Sequence, residues 1–177
     1  MKIGELALIL ALVLTCGVGS GYAQPNIDFA KLELQTVKVA DGLYVLMGGP
    51  AQGNIAVSVG NDGIFLVDSM YGQMHQKIVD AVRALSPQPI RYVVNTHLHG
   101  DHTAGNAAMA KLGAAIISHE NMRKRMADAQ NTAPLGMLPV LTYTDSLTLH
   151  FNGEEILIYH PAPAHTDGDS IIYFRKA

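Results

Sequence analysis

Apolar residues recur in two rhythms along this chain. From residue 34 to residue 67, short apolar runs alternate with turn signals. Strands are predicted over 34–39, 43–47, 55–59 and 64–67, with turns at Asp41-Gly42, Gly48-Gly49-Pro50 and Asn61-Asp62-Gly63. Asp-Gly favours turns whose twist matches that of paired strands, so this stretch reads as an antiparallel meander. The rhythm then lengthens. Met74, Ile78, Ala81, Val82 and Leu85 share one face of a predicted helix over 73–85, which Pro87 and Pro89 end. Tyr92-Val93-Val94-Asn95 reads as a buried strand, 104–112 as a helix stopped by Gly113, 114–118 as a strand and 120–130 as a helix. Residues 132–140, with Pro134, Gly136 and Pro139, are predicted to form a loop able to reach over a site. Strands return over 146–151, 155–160 and 170–174, the first two joined at Asn152-Gly153. Helices between strands, with hairpins at both ends, imply a layered α/β domain.

The first residues follow neither rhythm. Residues 6–13 are a continuous apolar run behind Lys2, and Gly21-Tyr22-Ala23 offers small residues at the two positions a signal peptidase reads. Residues 1–23 therefore read as a secretory signal peptide cut before Gln24, and residues 24–177 as one domain that is periplasmic or secreted. The apolar run is too short to remain as a membrane span. Lipid attachment at Cys16 is the second reading, and Thr15 just before it fits a lipobox poorly. Cys16 is the single cysteine, so the cleaved chain would have no disulfide and no thiolate ligand.

Composition narrows the function classes. With net charge −3 and 15% charged residues, the chain has no broad basic surface for nucleic acid. Its largest basic run, Arg123-Lys124-Arg125, reads as the solvated face of a helix. There is no Gly-x-Ser-x-Gly elbow, no phosphate-binding glycine loop and no dinucleotide fingerprint.

The candidate chemistry lies at Thr96-His97-Leu98-His99-Gly100-Asp101-His102, between the strand over 92–95 and the next helix. In an extended segment His97, His99 and Asp101 would alternate onto one side, with His102 turned away and Gly100 allowing a bend. Such a loop can aim ligands in two directions, toward two metal positions. Imidazole and carboxylate suit zinc, and also iron and manganese. The plainer alternative is a His-rich polar turn. His165, in the loop Pro161-Ala162-Pro163-Ala164-His165-Thr166-Asp167-Gly168-Asp169, would complete a three-nitrogen site and leave the fourth tetrahedral position to water. A metal there lowers the pKa of water to about 7. Asp101 could also orient that water and carry its proton to a leaving group. His75 reads as a surface residue, and His150 and His160 as packing or edge residues. His119 is read as structural in preference to a support for the metal.

The H-x-H-x-D-H array, with Asn95-Thr96 and Gly105-Asn106 beside it and His165-Thr166-Asp167-Gly168 as an H-T-x-G loop, resembles the metallo-β-lactamase superfamily. The resemblance runs over residues 36–174. It implies a four-layer αββα sandwich with metals at one edge between two sheets. It implies zinc held by His97, His99 and His165, a second position starting from Asp101 and His102, and Asp68 supporting the metal loop by hydrogen bonding. For Asp68, a plain strand-end carboxylate is the alternative. Thr96 and Asn106 are expected to brace the loop. Members continue beyond this point to an Asp or Cys and a final His. The resemblance therefore implies a sandwich incomplete in its second half, read as the N-terminal part of a longer enzyme, with a second metal position lacking its remaining ligands. Ile171, Ile172, Tyr173 and Phe174 would then be exposed on an open edge, a route to self-association.

The implied activity is that of a zinc-dependent hydrolase, in which metal-bound hydroxide attacks an ester-like carbonyl of a small molecule: a lactam, a lactone or a thioester. His102 in the motif resembles glyoxalase II thioesterases and the His-using β-lactamases, while export argues against a cytosolic thioester. Two alternatives stand beside it: an iron-containing oxidoreductase of the same fold, and a catalytically incomplete metal-binding fragment.

Overall fold

The computed structural model describes residues 27–49, 53–129, 136–161 and 164–177. The predicted signal peptide, its cleavage site and Cys16 lie outside the described residues, as does part of the loop over 132–140. Among the described residues no helix is long and apolar enough to cross a membrane.

The meander is present as β1 (Gln35–Ala40), β2 (Leu43–Met47), β3 (Asn54–Gly60) and β4 (Gly63–Val67), each antiparallel to the last. Three parallel strands extend it: β5 (Ile90–Val94), β6 (Ala115–His119) and β7 (Leu141–Tyr143). The result is a seven-stranded sheet in sequence order. A second, antiparallel sheet contains β8 (Ser146–Phe151), β9 (Glu154–Tyr159) and β10 (Ile171–Phe174), with β9 in the middle. Helix α1 (His75–Leu85) connects β4 to β5, after a short 3-10 turn over Gly72–Met74. Helix α4 (Glu120–Ala129) follows β6.

Strand β4 is buried at every position. Its side chains alternate between two cores, as a strand covered on both faces requires. Ile64 and Leu66 join Ile78, Val79 and Val82 of α1 on the helical side. Phe65 and Val67 face the small sheet, where they meet Ile156 and Ile158 of β9. Phe65 makes an edge-to-face contact with Phe174 at 6.1 Å between centroids. The sheets are also tied turn to turn. Asn152 N–H donates to Asp62 Oδ2 at 2.6 Å, and Asp62 N–H donates back to Asn152 Oδ1 at 3.1 Å.

Three expectations need correction. The helix predicted over 104–112 is shorter, α3 (Asn106–Lys111), and a separate helical turn, α2 (Gly100–Thr103), lies in the stretch predicted as a loop, with Ala104 and Gly105 between them. A side chain at Gly105 would collide with the carbonyl of Ser69, so the backbone there comes closer to its neighbour than a residue with a Cβ allows. Second, β7 lies where no strand was expected. Three residues are too few to show a period. Third, only half of the last strand is exposed. Ile172 and Phe174 pack into the core between the sheets, while Ile171 and Tyr173 face outward. A strand with one covered face must alternate in this way.

Candidate metal centre

Parallel β4 and β5 end at the same edge of the large sheet, and the loops leaving them interlock. Asp68 N–H donates to Val94 O at 2.8 Å, Ser69 N–H to His102 O at 2.9 Å and Gly105 N–H to Met70 O at 2.8 Å. Asp68 and Met70 hold left-handed backbone, with φ of 70° and 52°. Non-glycine residues avoid that region unless the surroundings impose it.

Asp68 is buried, and its carboxylate is the hub of the loop. Its Oδ1 accepts Thr96 N–H at 2.7 Å. Its Oδ2 accepts Thr96 Oγ1–H at 2.8 Å and His102 Nδ1–H at 2.7 Å. Thr96 Oγ1, having given its proton to Asp68, can accept from His97 Nδ1 at 3.1 Å. That bond fixes the His97 tautomer and leaves its Nε2 lone pair free. Asn106 is equally central. It exchanges hydrogen bonds with Asn95 at 2.8 and 3.1 Å, accepts Ser69 Oγ–H at 2.8 Å and donates to Met137 O at 3.1 Å. Thr96 thus bonds within the loop, and Asn106 bonds to the strand end and the turn that flank it. Asn95 was named from sequence only as a residue flanking the motif and Ser69 was not singled out; as short polar residues at buried strand ends they carry little signal of their own.

The three expected nitrogen ligands converge. Among the described residues His97, His99 and His165 can hold a metal together, with ligand atoms all within 4.8 Å of one another. His165 Nε2 lies 3.1 Å from His99 Nδ1. Two nitrogens on a tetrahedral zinc sit about 3.4 Å apart, given bonds of ~2.0–2.1 Å. The donor set thus fits a zinc-sized cation. Burial, and then His102, hold His97 below the ordinary imidazole range against the pull of Asp68, with His99 and His165 adding to the effect. A neutral imidazole is the form that binds a metal.

The extended alternation stops at His99. Gly100 begins α2, so Asp101 and His102 stand on a helical turn and not on an extended segment. His102 Nε2 lies 3.2 Å from Asp101 Oδ2, on the opposite side of the ring from Asp68. Burial opposes a charge on His102, but the hydrogen bond and charge of Asp68, helped by Asp101, raise it above the usual imidazole range. A protonated His102 joins the two carboxylates. A cation between Nε2 and Asp101 could take that proton's place.

The His165 loop closes on itself. Asp169 Oδ2 accepts His165 N–H at 2.7 Å, and Oδ1 accepts Thr166 N–H at 3.0 Å and Thr166 Oγ1–H at 2.5 Å. Sequence reasoning missed Asp169, although Thr166-x-x-Asp169 has the spacing of a capping box. The loop leaves toward the large sheet through Ser170 N–H to Thr96 O at 2.7 Å. His119, read as structural, is buried with both ring nitrogens paired, to Thr144 O and Asn121 N–H, and stacks on His160 at 3.9 Å. His75 and His150 are exposed.

The profile of the Metallo-beta-lactamase superfamily matches residues 48–177. The chain belongs to this superfamily. It is 25% identical over 186 residues to a metallo-beta-lactamase type 2 from Elizabethkingia meningoseptica, a match covering 99% of this chain and 69% of the relative. A metallo-beta-lactamase from Pontibacter korlensis has the same fold, with a TM-score of 0.66 at 18% identity over 80% of this chain and 67% of that one. A flavo di-iron protein variant from Thermotoga maritima also shares it, with a TM-score of 0.63 at 17% identity over 81% of this chain and 40% of that one. The chain thus spans about two thirds of the lactamase lengths. The layered α/β fold is that of the superfamily sandwich, with large sheet, small sheet and the helices on the large sheet all present.

Proposed function

We propose that the chain carries the metal site of a zinc-dependent hydrolase acting on an ester-like carbonyl in a small molecule: a lactam, a lactone or a thioester. The observation that supports it best is the approach of His165 Nε2 to His99 Nδ1, 3.1 Å apart across two sheets, with His97 as the third donor. When bound, zinc supplies Lewis acidity and brings the pKa of water to about 7. His97, His99 and His165 are the nitrogen ligands. Asp101 and His102 are the protein's contribution to a second metal position. Asp68 and Thr96 set the tautomers of His102 and His97 so that each Nε2 lone pair faces the site. Asp101 takes a proton from the attacking water and returns it to the leaving group.

Export to the periplasm or medium, from the reading of residues 1–23, belongs to the same proposal. So does self-association through β10, which is unpaired on its far side among the described residues and carries Ile171 and Tyr173 at 44% and 54% exposure. A second reading is an iron-containing oxidoreductase. Imidazole and carboxylate donors suit iron too, and one structure of this fold is a flavo di-iron protein.

Metal analysis of the purified protein, with hydrolysis of a chromogenic lactam and a simple thioester, tests both readings. The expected result is bound zinc and turnover that His97→Ala abolishes. Iron in place of zinc favours the second reading. Equal rates in parent and variant remove the catalytic assignment.

A further inference from the structure

The candidate ligands reach the site by unequal routes. His97 and His99 share one short stretch with Asp101 and His102. His165 arrives alone, from the loop between β9 and β10 of the other sheet. The hydrogen bonds from Asp169 shape that loop but tie it only to itself. Ser170 fixes where it leaves. The residues just after His165 are held from outside, by helix α4.

Three contacts make this attachment. Arg125 Nε and Nη2 donate to the two oxygens of Asp167 at 2.5 and 2.7 Å, a paired fork. Asn121, one turn earlier on α4, donates its side-chain amide to Asp167 O at 2.9 Å. Gly168 lies flat against the helix, where an added Cβ would sit 2.8 Å from Met122 N. Arg125 and Asp167 are 59% and 39% exposed, so their pairing adds little to folding stability. Its two-point geometry instead restricts where Asp167 can sit, and with it His165 two residues before.

The rest of the basic run does other work. Lys124 pairs with Glu120 at 3.1 Å along the helix, and Arg123 donates to the Pro139 carbonyl. Arg125 alone of the three reaches the ligand loop.

We propose that Arg125 is a positioning residue for His165, acting through Asp167 to hold the third imidazole in register with His97 and His99. The inference rests on the reading of these histidines as a metal site. Groups that support a metal ligand without touching the metal typically change its affinity by about 10–100-fold when removed, and an exposed pair belongs at the lower end. The test is zinc affinity of the full 177-residue chain, by competition with a chromophoric chelator, for the parent, Arg125→Ala, Asp167→Asn, their double variant and His165→Ala. Thermal midpoints of the metal-free forms and visible spectra of the cobalt-loaded forms are measured beside it.

The expected result is about ten-fold weaker zinc binding in Arg125→Ala, with a changed cobalt spectrum. The metal-free midpoint should move by less than about 3 °C. Asp167→Asn should match that loss, and the double variant should be no worse than either single one. Unchanged affinity and spectrum in Arg125→Ala, with weakened binding in His165→Ala, overturn the positioning role and leave the metal site standing. Affinity that falls only in step with the metal-free midpoint also overturns it, since the pair would then be structural. A parent that binds no zinc, or binds it no better than His165→Ala, overturns the metal site and the positioning role together.

Discussion

Two loops meet at the candidate site, and they are built in opposite ways. The loop after β5 sits over buried polar groups. Asp68, Asn95, Ser69 and Asn106 are all nearly inaccessible and bonded to one another or to the loop backbone. The loop between β9 and β10 is exposed at His165, held by an Asp169 cap and by the surface of α4. The first loop carries two imidazoles of the triad on nearly adjacent residues, so their relative placement is a matter of local backbone. The second carries one imidazole, and its placement depends on how two sheets pack. A buried, fully paired network is rigid because each missing bond would cost a desolvated group. A surface loop has no such penalty and needs several weaker restraints.

The largest expected effect comes from loosening the packing that brings the loops together. Phe65 is fully buried between the sheets and meets Phe174 edge to face. Phe65→Ala should cost about 3–5 kcal/mol, read as a lower urea midpoint. Zinc affinity should fall with it, since His165 belongs to the sheet that Phe65 packs against. Zinc affinity unchanged after that loss of stability would mean that the loops are joined by their own hydrogen bonds and not by the core.

Next comes the hub of the buried loop. Asp68→Asn retains the shape but removes the charge that faces His102, and turns an acceptor toward a donor into a clash. A loss of about 2 kcal/mol is expected. The pH dependence has a definite sign. His102 is raised in the folded protein, so its contribution is fully present below the unfolded imidazole value of about 6.5 and fades as pH rises through the folded value. His97, which is lowered, runs the other way and costs stability as pH falls below about 6.5. In metal-free protein the gap between parent and Asp68→Asn should therefore be widest in acid and narrow as pH rises. Imidazole NMR titration should find His102 lower in the variant. A gap independent of pH would separate Asp68 from His102.

The same contrast explains what was legible in the sequence. The first loop is contiguous, so H-x-H-x-D-H could be read directly, whereas hydrogen bonding by Asp68 was expected only through family likeness and its left-handed backbone not at all. The meander and α1 follow from local period. Arg125 and Asp167 stand 42 positions apart, and nothing along the chain links them. The stack of His119 on His160 is equally invisible, because it pairs the end of β6 with the residue just after β9. The helical turn α2 was missed because four residues are too few to show a period, and Gly105 fell inside the helix predicted over 104–112. It is instead the point where two loops touch.

A smaller effect is expected at the exposed loop. Asp169→Ala removes the acceptor for His165 N–H, Thr166 N–H and Thr166 Oγ1–H, much as a lost helix cap would, at about 1 kcal/mol. Zinc affinity should fall by about ten-fold while His102 titrates as in the parent. A variant that also moved the His102 titration would show that the two loops are one coupled network, and would undo the contrast drawn between them.

The smallest effect belongs to the outer face of the small sheet. By register, Ile171 lies across from Tyr159 and Tyr173 across from Leu157 on that face, while β10 is unpaired on its far side among the described residues. Ile171 is 44% exposed, so it contributes little buried area, and Ile171→Lys should change stability by no more than about 0.5 kcal/mol. The same charge on an open edge opposes strand-to-strand pairing. Sedimentation at high protein concentration should therefore show less association in the variant than in the parent, with equal urea midpoints. A midpoint lowered well beyond that range would mean that Ile171 is packed in solution. The small sheet would then have a cover on its outer face, and its resemblance to the doubly covered large sheet would be closer than the exposure of Ile171 and Tyr173 implies.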